Sequence, residues 1–118
     1  MPEDTICAVS TPPGVGGIAV IRVSGDKAIT IVDKLFHPKG HATPLSQRAT
    51  HTLAFGEIYG QEGDLLDQVV VSLFRTPHSY TGEDTVEISC HGSTYIAQHI
   101  IQALIHGGCR GAAPGEFT

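Results

Sequence analysis

The chain has 118 residues, of which 41% are hydrophobic and 16% are charged. This composition supports one compact domain with a real core, and it argues against intrinsic disorder and against two ordinary domains. Seven Lys and Arg residues against twelve Asp and Glu give a formal net charge of −5, the wrong sign for a surface that neutralises nucleic-acid phosphates by itself. We therefore expect a small-molecule or protein partner, with any RNA held mostly by other domains.

The sequence also predicts where the chain is located and whether its cysteines form disulfides. No apolar run approaches the roughly 20 residues that span a bilayer, and the start, MPED, is acidic where a secretory signal is basic. We predict a cytoplasmic chain with no membrane association. Cys7, Cys90 and Cys109 are odd in number and widely spaced, so we expect buried free thiols and neither a disulfide framework nor a zinc site.

Proline and glycine divide the first third of the chain into short elements. The pattern predicts a strand over residues 5–10, a loop over residues 11–17 and a second strand, rich in β-branched residues, over 18–24. Residues 26–36 carry apolar side chains at helical spacing, which predicts a first helix with Ser24 as its N-cap.

The middle of the chain contains the strongest local signal, a β-hairpin. After a loop at residues 37–49, two apolar stretches at 50–59 and 65–74 flank the turn sequence GQEG at residues 60–63. Strand-like runs separated by a short glycine-containing turn are typical of paired antiparallel strands.

The last third predicts one more strand and one more helix. Residues 85–90 form the strand, Ser93 begins the helix and Gly107 ends it, and residues 112–118 add no closing element. The apolar stripe expected on this helix consists of Ile96, Ile100, Ile101, Leu104 and Ile105. Because strands and helices do not alternate strictly, we predict an α+β fold with a mixed β-sheet of about five strands and two or three helices.

The glycine-rich loop does not match a nucleotide-binding motif. The sequence PGVGG at residues 13–17 lacks the GxxxxGK[ST] spacing, fails the GxGxxG pattern and leads into a strand. These glycines either permit a backbone turn or allow a ligand to approach closely.

Two charged residues lie inside predicted strands. Arg22 shares a strand face with Val20, and Glu87 shares one with Thr85 and Ser89. Two interpretations remain open: the two side chains pair with each other or with nearby groups, or they form a polar pocket that offers a cation and an anion to a ligand.

No constellation of residues predicts catalysis or metal binding. The seven histidines have no ligand spacing. His91 directly follows Cys90, but a Cys-His pair without an oriented third group is a weak nucleophile signal. We nominate neither a catalytic residue nor a metal ligand.

Four stretches together resemble the MnmE (TrmE) family of tRNA-modification GTPases. They are DTI with Ala8 near the start, TPPGVGGIAVIRVSG at residues 11–25, SYTGEDTVE at 79–87 with His91 and Gly92, and Arg110 with APGEFT at 113–118. Their order and spacing cover nearly the whole chain. Each stretch is weak alone, whereas the combination is highly specific.

The resemblance implies that residues 1–118 are the family's N-terminal folate-binding and dimerisation domain. Such a domain is similar to the folate-binding part of glycine-cleavage aminomethyltransferase, binds 5-formyltetrahydrofolate or a related one-carbon folate, and forms a homodimer. By position, Arg22 and Glu87 look like the folate contacts. The chemistry agrees, because an Arg fork suits a carboxylate or carbonyl, and a carboxylate suits the N–H and amino donors of a pterin ring.

The family's parent protein is a GTPase that works with MnmG, an FAD- and NADH-dependent partner. Together they add a carboxymethylaminomethyl-type group to the wobble uridine of tRNA, the folate supplying the one-carbon unit. GTP, Mg²⁺ and K⁺ bind through domains whose motifs these 118 residues lack, so we predict no GTPase activity for this chain.

Two other functions compete with folate binding. One is a purely structural dimerisation module, with the hairpin at residues 50–74 as its interface. The other, ranked last, is a free-standing folate enzyme, for which the chain is short and lacks an acid-base constellation.

Overall fold

The structure, a computed structural model, describes residues 5–10, 17–40, 44–75 and 83–112. Most of the loop predicted at residues 11–17 and nearly all of the ending predicted at 112–118 lie outside the described residues. The strands are β1 Ile6–Val9, β2 Ile18–Ser24, β3 Phe36–Pro38, β4 Thr52–Tyr59, β5 Leu65–Phe74, β6 Thr85–His91 and β7 Arg110–Gly111. The helices are α1 Ala28–Leu35, α2 Thr94–His106 and a short 3-10 helix, Leu45–Gln47.

The seven strands form one sheet in the order β3-β4-β5-β6-β2-β1-β7. β7 runs parallel to β1, and every other neighbouring pair is antiparallel. The predicted α+β class with a mixed sheet is therefore confirmed. About five strands were expected, and the two additional ones are β3 and β7, which have three and two residues and are too short to show a period-two pattern.

The predicted hairpin is confirmed as β4 and β5, in a register that pairs Ala54 with Val71. β5 has the predicted bounds, whereas β4 begins at Thr52 and not at residue 50. The reason is local, since His51 adopts a φ of 61°, a left-handed conformation that cannot continue a strand.

The first helix is shorter than predicted, and the assignment of Ser24 as its N-cap was wrong. Ser24 ends β2, and its hydroxyl donates to Oε1 of Glu83 at 3.1 Å. Gly25, with a φ of 143°, turns the chain away from the sheet before α1 begins. The backbone N–H of Lys27, the residue before the helix, donates to Oγ1 of Thr5 at 3.1 Å.

The second helix begins as predicted, because Oγ of Ser93 accepts a hydrogen bond from the backbone N–H of Ile96 at 3.3 Å. Its most buried residues are Ala97, Ile100, Ala103 and Leu104. Ile105 was predicted to face the core, but its side chain is 45% exposed. It follows Leu104 by one residue and is rotated by about 100° around the helix, away from the sheet.

Both α-helices pack on the same face of the sheet, which we call the helix-covered face. The core lies there, and its fully buried strand residues are Ile21, Val23, Ile58, Val69, Val71, Leu73, Val86 and Ile88. The opposite side, which we call the open face, is covered by neither α-helix. Because side chains alternate along a strand, the open face receives the residues between these core positions.

Candidate functional site

Arg22 and Glu87 lie side by side at the centre of the open face. β2 and β6 are antiparallel neighbours, and their register places Arg22 directly opposite Glu87. Their neighbours Ile21 and Ile88 point to the other side and are fully buried. The packing of these apolar residues fixes the register and therefore brings the two charges together.

The two side chains form an ion pair. Nε and Nη2 of Arg22 lie 3.0 Å and 2.8 Å from Oε2 of Glu87. The side chains are 28% and 19% exposed, so the pair is half-buried and reachable from solvent. The sequence left open whether these residues pair with each other or present their charges to a ligand, and the structure shows that they pair.

A lateral row of open-face residues extends from the ion pair across neighbouring strands. Ser72 lies beside Glu87, Leu53 beside Ser72, and Ala8 on the far side of Arg22. In the adjacent row, Phe55, Val70, Ser89 and Val20 are cross-strand neighbours in that order. The ion pair thus borders a mainly apolar strip of the sheet.

A shallow groove of about 210 Å³ follows this second row. Its lining includes the open-face residues Ile18, Phe55, Gln68, Val70, Ser89 and His91. Ser89 is two residues from Glu87 on the same strand face, which separates their Cα atoms by about 7 Å. The groove and the ion pair therefore belong to one continuous surface.

His91, at the end of β6, is held by a carboxylate that the sequence analysis did not single out. Asp67 accepts a hydrogen bond from the backbone N–H of His91 at 2.8 Å through Oδ2. Its Oδ1 lies 2.7 Å from Nδ1 of the same residue. The sequence did contain a signal for a polar contact of Asp67. This residue shares the buried strand face of Val69 and Val71, and a buried carboxylate needs a partner.

Cys90 and His91 do not form a nucleophilic pair. Successive residues of a strand point to opposite faces, and the Cys90 side chain is buried within the core. Burial, together with the negative charge of Asp67, raises the pKa of the Cys90 thiol from 9.0 to about 11. A thiol in this state is a poor nucleophile at neutral pH.

All three cysteines are buried and free, as expected. A hydrogen bond with the Cys109 thiol lowers the pKa of Cys7 and raises that of Cys109. Within the part of the chain that the structure describes, no three His, Cys, Asp or Glu side chains cluster closely enough to hold a metal ion.

A larger cavity of about 450 Å³ lies between the β4–β5 turn and the C-terminal half of α2. Most of its polar lining residues are exposed, namely Gln61, Glu62, Asp64, Gln102 and His106, whereas His99 is partly buried. It contains neither Arg22 nor Glu87. We prefer the open face as the candidate site because its charged side chains are half-buried and held by the sheet.

Among the described elements, no helix is long and apolar enough to cross a bilayer.

Of the family motifs, residues 11–16, 79–82 and 113–118 lie outside the described residues. Glu83, which follows the second of these segments, contacts Ser24 at the end of β2. This contact links the motif at residues 79–87 to the strand that carries Arg22.

Comparison with known proteins identifies the family. The family model described as "GTP-binding protein TrmE N-terminus" matches residues 5–118. The tRNA modification GTPase MnmE of Parabacteroides distasonis is 58% identical over 114 residues, covering 97% of this chain and 25% of that protein. The proteins of the same name from Bacteroides fragilis and Flavobacterium johnsoniae are 55% and 53% identical, with 100% and 98% of this chain covered, and 25% and 24% of the relatives.

The chain therefore spans about a quarter of the length of the curated relatives it matches. The match to the family model extends over nearly all of its residues. On these grounds, the chain belongs to the MnmE (TrmE) family of tRNA-modification GTPases.

Proposed function

We propose that this chain binds a one-carbon tetrahydrofolate of the 5-formyl type on the open face of its sheet, with Arg22 and Glu87 as ligand contacts. The observation that carries the proposal is the half-buried ion pair between these two residues. It lies beside an apolar groove and on a face that neither α-helix covers. A charged pair in such a position can exchange part of its mutual contact for contacts with a polar ligand.

The geometry of the pair favours a ligand with hydrogen-bond donors. Nε and Nη2 of Arg22 both reach the same carboxylate oxygen, Oε2 of Glu87. In the described part of the chain, Oε1 of Glu87 accepts no hydrogen bond and remains available to a donor. A pterin ring offers adjacent N–H and amino donors, and a carboxylate accepts them strongly because such bonds are charge-assisted.

We further propose that residues 1–118 act as the folate-binding and dimerisation domain of a larger cytoplasmic protein. In this proposal the bound folate supplies a one-carbon unit for wobble-uridine modification of tRNA, carried out together with MnmG. GTP, Mg²⁺ and K⁺ bind elsewhere in the parent protein. The family membership supports this proposal, since the relatives are named tRNA modification GTPases.

Calorimetric titration with 5-formyltetrahydrofolate tests the binding site. Truncation of either charged partner, in Arg22→Ala or Glu87→Ala, is expected to cost about 1.5–3 kcal/mol of binding free energy, the range for hydrogen bonds to charged groups. Lys34→Ala and Glu62→Ala are matched controls, because they remove an exposed charge from α1 and from the β4–β5 turn.

The variants must first pass a folding check by circular dichroism and thermal unfolding. Unchanged affinity in both Arg22→Ala and Glu87→Ala would show that these residues are not folate contacts. A loss in Glu62→Ala alone would move the site to the larger cavity beside α2.

A purely structural dimerisation module is the second candidate, and an apolar feature of the hairpin favours it. Leu53 and Phe55 on β4 are 67% and 53% exposed. Among the described strands, β3 pairs only with residues 56–58 of β4, so the Leu53 end of β4 is an unpaired edge available to a second copy.

Sedimentation velocity would report a weaker dimer in Leu53→Asn. A stable dimer without folate binding would favour this second function.

A further inference from the structure

Cys7 and Cys109 lie next to each other at the β7 edge of the sheet. β7 runs parallel to β1, and the register places Cys7 opposite Gly111. Cys109 precedes Gly111 by two residues, so the two cysteines are diagonal neighbours on the same side of the sheet. Both side chains are buried in the core, and a hydrogen bond joins their thiols. The fold therefore holds two free thiols in contact.

The third cysteine, Cys90, is buried in the same core but lies far from this pair. Cys90 is opposite Ala19 of β2, whereas Cys7 is opposite Val23 of the same strand. Four residues along a strand correspond to about 13 Å, which is too far for any direct contact between the thiols. Cys90 is thus a buried free thiol with which the pair can be compared.

The strand that follows Cys109 is held to the sheet by few contacts. Among the described strands, β7 pairs only with β1. The backbone N–H of Arg110 donates to the carbonyl of Thr5 at 2.8 Å, and that of Ala112 donates to the carbonyl of Cys7 at 2.9 Å. Both residues of β7 are exposed. A short edge element of this kind opens locally at low cost in free energy, and its opening admits small reagents to the two thiols.

A bond between the two sulfur atoms requires only a small movement of β7. Diagonal neighbours on adjacent strands have Cα atoms about 7–8 Å apart, and most disulfides join Cα atoms about 4.4–6.8 Å apart. Gly108, which precedes Cys109, has a φ of 124°, and Gly111 places no side chain opposite Cys7. A shift of roughly 1 Å therefore brings the pair within disulfide geometry.

Cys7 is the better nucleophile of the pair. The thiolate is the form that attacks a disulfide, so a lower pKa increases the reactive fraction at neutral pH. The hydrogen bond from Cys109 lowers the pKa of the Cys7 thiol. Burial and the charge of Asp67 instead raise the pKa of Cys90 to about 11.

We propose that Cys7 and Cys109 form a reversible disulfide by exchange with a low-molecular-weight disulfide, and that this bond ties the edge strand β7 to β1. In a reducing compartment such a bond is transient, forming when the surrounding thiol pool becomes oxidised. The chain then carries a redox-sensitive modification site that is separate from the ion pair on the open face.

The exchange takes place in two steps. The Cys7 thiolate attacks one sulfur of oxidised glutathione, whose S–S bond breaks and releases one glutathione thiolate. The Cys109 thiolate then attacks the Cys7 sulfur of this mixed disulfide and releases the second glutathione. Two electrons pass from the cysteines to the glutathione disulfide, and the two cysteine protons end on the released glutathione thiols.

Equilibration of the folded chain in glutathione buffers, from mostly reduced to mostly oxidised, tests the proposal. After free thiols are blocked by alkylation, mass spectrometry should show the loss of two hydrogen atoms, one alkylated cysteine, Cys90, and a peptide that links Cys7 to Cys109. The oxidised chain should unfold at a temperature roughly 5–15 °C higher, because the bond closes a loop of about 100 residues. Dithiothreitol should reverse both changes.

Cys90→Ala is the matched control, because it removes a buried thiol that is not part of the pair. It should form the same bond and show the same rise in unfolding temperature on oxidation. Cys7→Ala and Cys109→Ala should show neither. The result in the wild-type chain does not depend on these variants, so a folding defect in one of them leaves the test intact.

Three results would overturn the proposal. One is a folded wild-type chain that keeps three free thiols, or carries only single glutathione adducts, in the most oxidising buffer. Another is a bond that includes Cys90. The third is a link between Cys7 and Cys109 that forms only after urea has unfolded the chain, since the fold would then not be what brings the thiols together.

Discussion

Arg22 and Glu87 face each other directly across β2 and β6, although 65 positions separate them in the chain. Two nitrogens of the guanidinium converge on one carboxylate oxygen, at 3.0 Å and 2.8 Å. The contact has two consequences. It contributes modestly to stability, and it holds both charges at the centre of a face that neither α-helix covers.

The stability contribution of this pair should be small and dependent on salt. A double-mutant cycle with Arg22→Ala, Glu87→Ala and the double variant should give a coupling of about 0.5–1 kcal/mol, the upper end for partly exposed ion pairs. Urea unfolding at low and high NaCl measures it, and the coupling should decrease with salt because the pair is reachable by solvent ions. A coupling that is absent at low salt would contradict the geometry.

The orientation of α2 predicts that truncating two adjacent residues lowers the free energy of unfolding by very different amounts. Leu104 is fully buried, whereas Ile105 is 45% exposed. Leu104→Ala should therefore lower the free energy of unfolding by about 2–5 kcal/mol, because it leaves a cavity in the core. Ile105→Ala should cost less than about 1 kcal/mol, since it removes a partly solvated side chain. Similar losses for both variants, measured by urea unfolding, would mean that the helix is rotated from the orientation described.

Because β3 approaches β4 closely, Gly56 is the glycine of the hairpin that tolerates a side chain least. A Cβ atom there would collide with the backbone carbonyl oxygen of His37 and would lie 2.9 Å from Cα of Pro38. Because backbone atoms cannot move aside cheaply, Gly56→Ala should cost about 1–3 kcal/mol.

Gly111→Ala is the matched control for Gly56→Ala, because a Cβ at Gly111 would meet no atom within 4 Å. Its effect should stay within about 0.5 kcal/mol. Thermal unfolding of the two variants compares them directly. An unchanged melting temperature for Gly56→Ala would show that β3 does not pack against β4 as described.

The buried thiol of Cys90 should make the chain less stable at alkaline pH. Burial raises its pKa from 9.0 to about 11, so between these values the folded chain keeps a proton that the unfolded chain releases. Stability contributed by this group is therefore complete below pH 9 and is lost as the pH rises through about 11. The expected result is a fall in unfolding free energy across this window that is smaller in Cys90→Ala.

The comparison with Cys90→Ala isolates this thiol, because the other groups that titrate at alkaline pH remain in both proteins. Tyr59, whose hydroxyl donates to Glu57 and has a raised pKa, is one of them. Parallel alkaline profiles for the two proteins, measured by urea unfolding, would mean that Cys90 is not buried in the folded state.

Local patterns in the sequence predicted most elements of this fold. β5 has the predicted bounds, and α2 begins at the predicted cap, Ser93. These elements are long enough to show the periodic spacing of their apolar residues, and their ends carry glycine or a capping hydroxyl. β3 and β7 were missed because so few residues show no period. They exist because a neighbouring strand offers unpaired backbone groups.

The sequence also determined the family and the identity of the charged residues, Arg22 and Glu87, as the residues to examine. It placed each on a face of its own strand, because side chains alternate with a period of two. Alternation says nothing about which strand lies beside which. The tertiary structure decided that Arg22 meets Glu87 and that Asp67 meets His91, because register between distant strands is set by the packing of the core residues on the other side of the sheet.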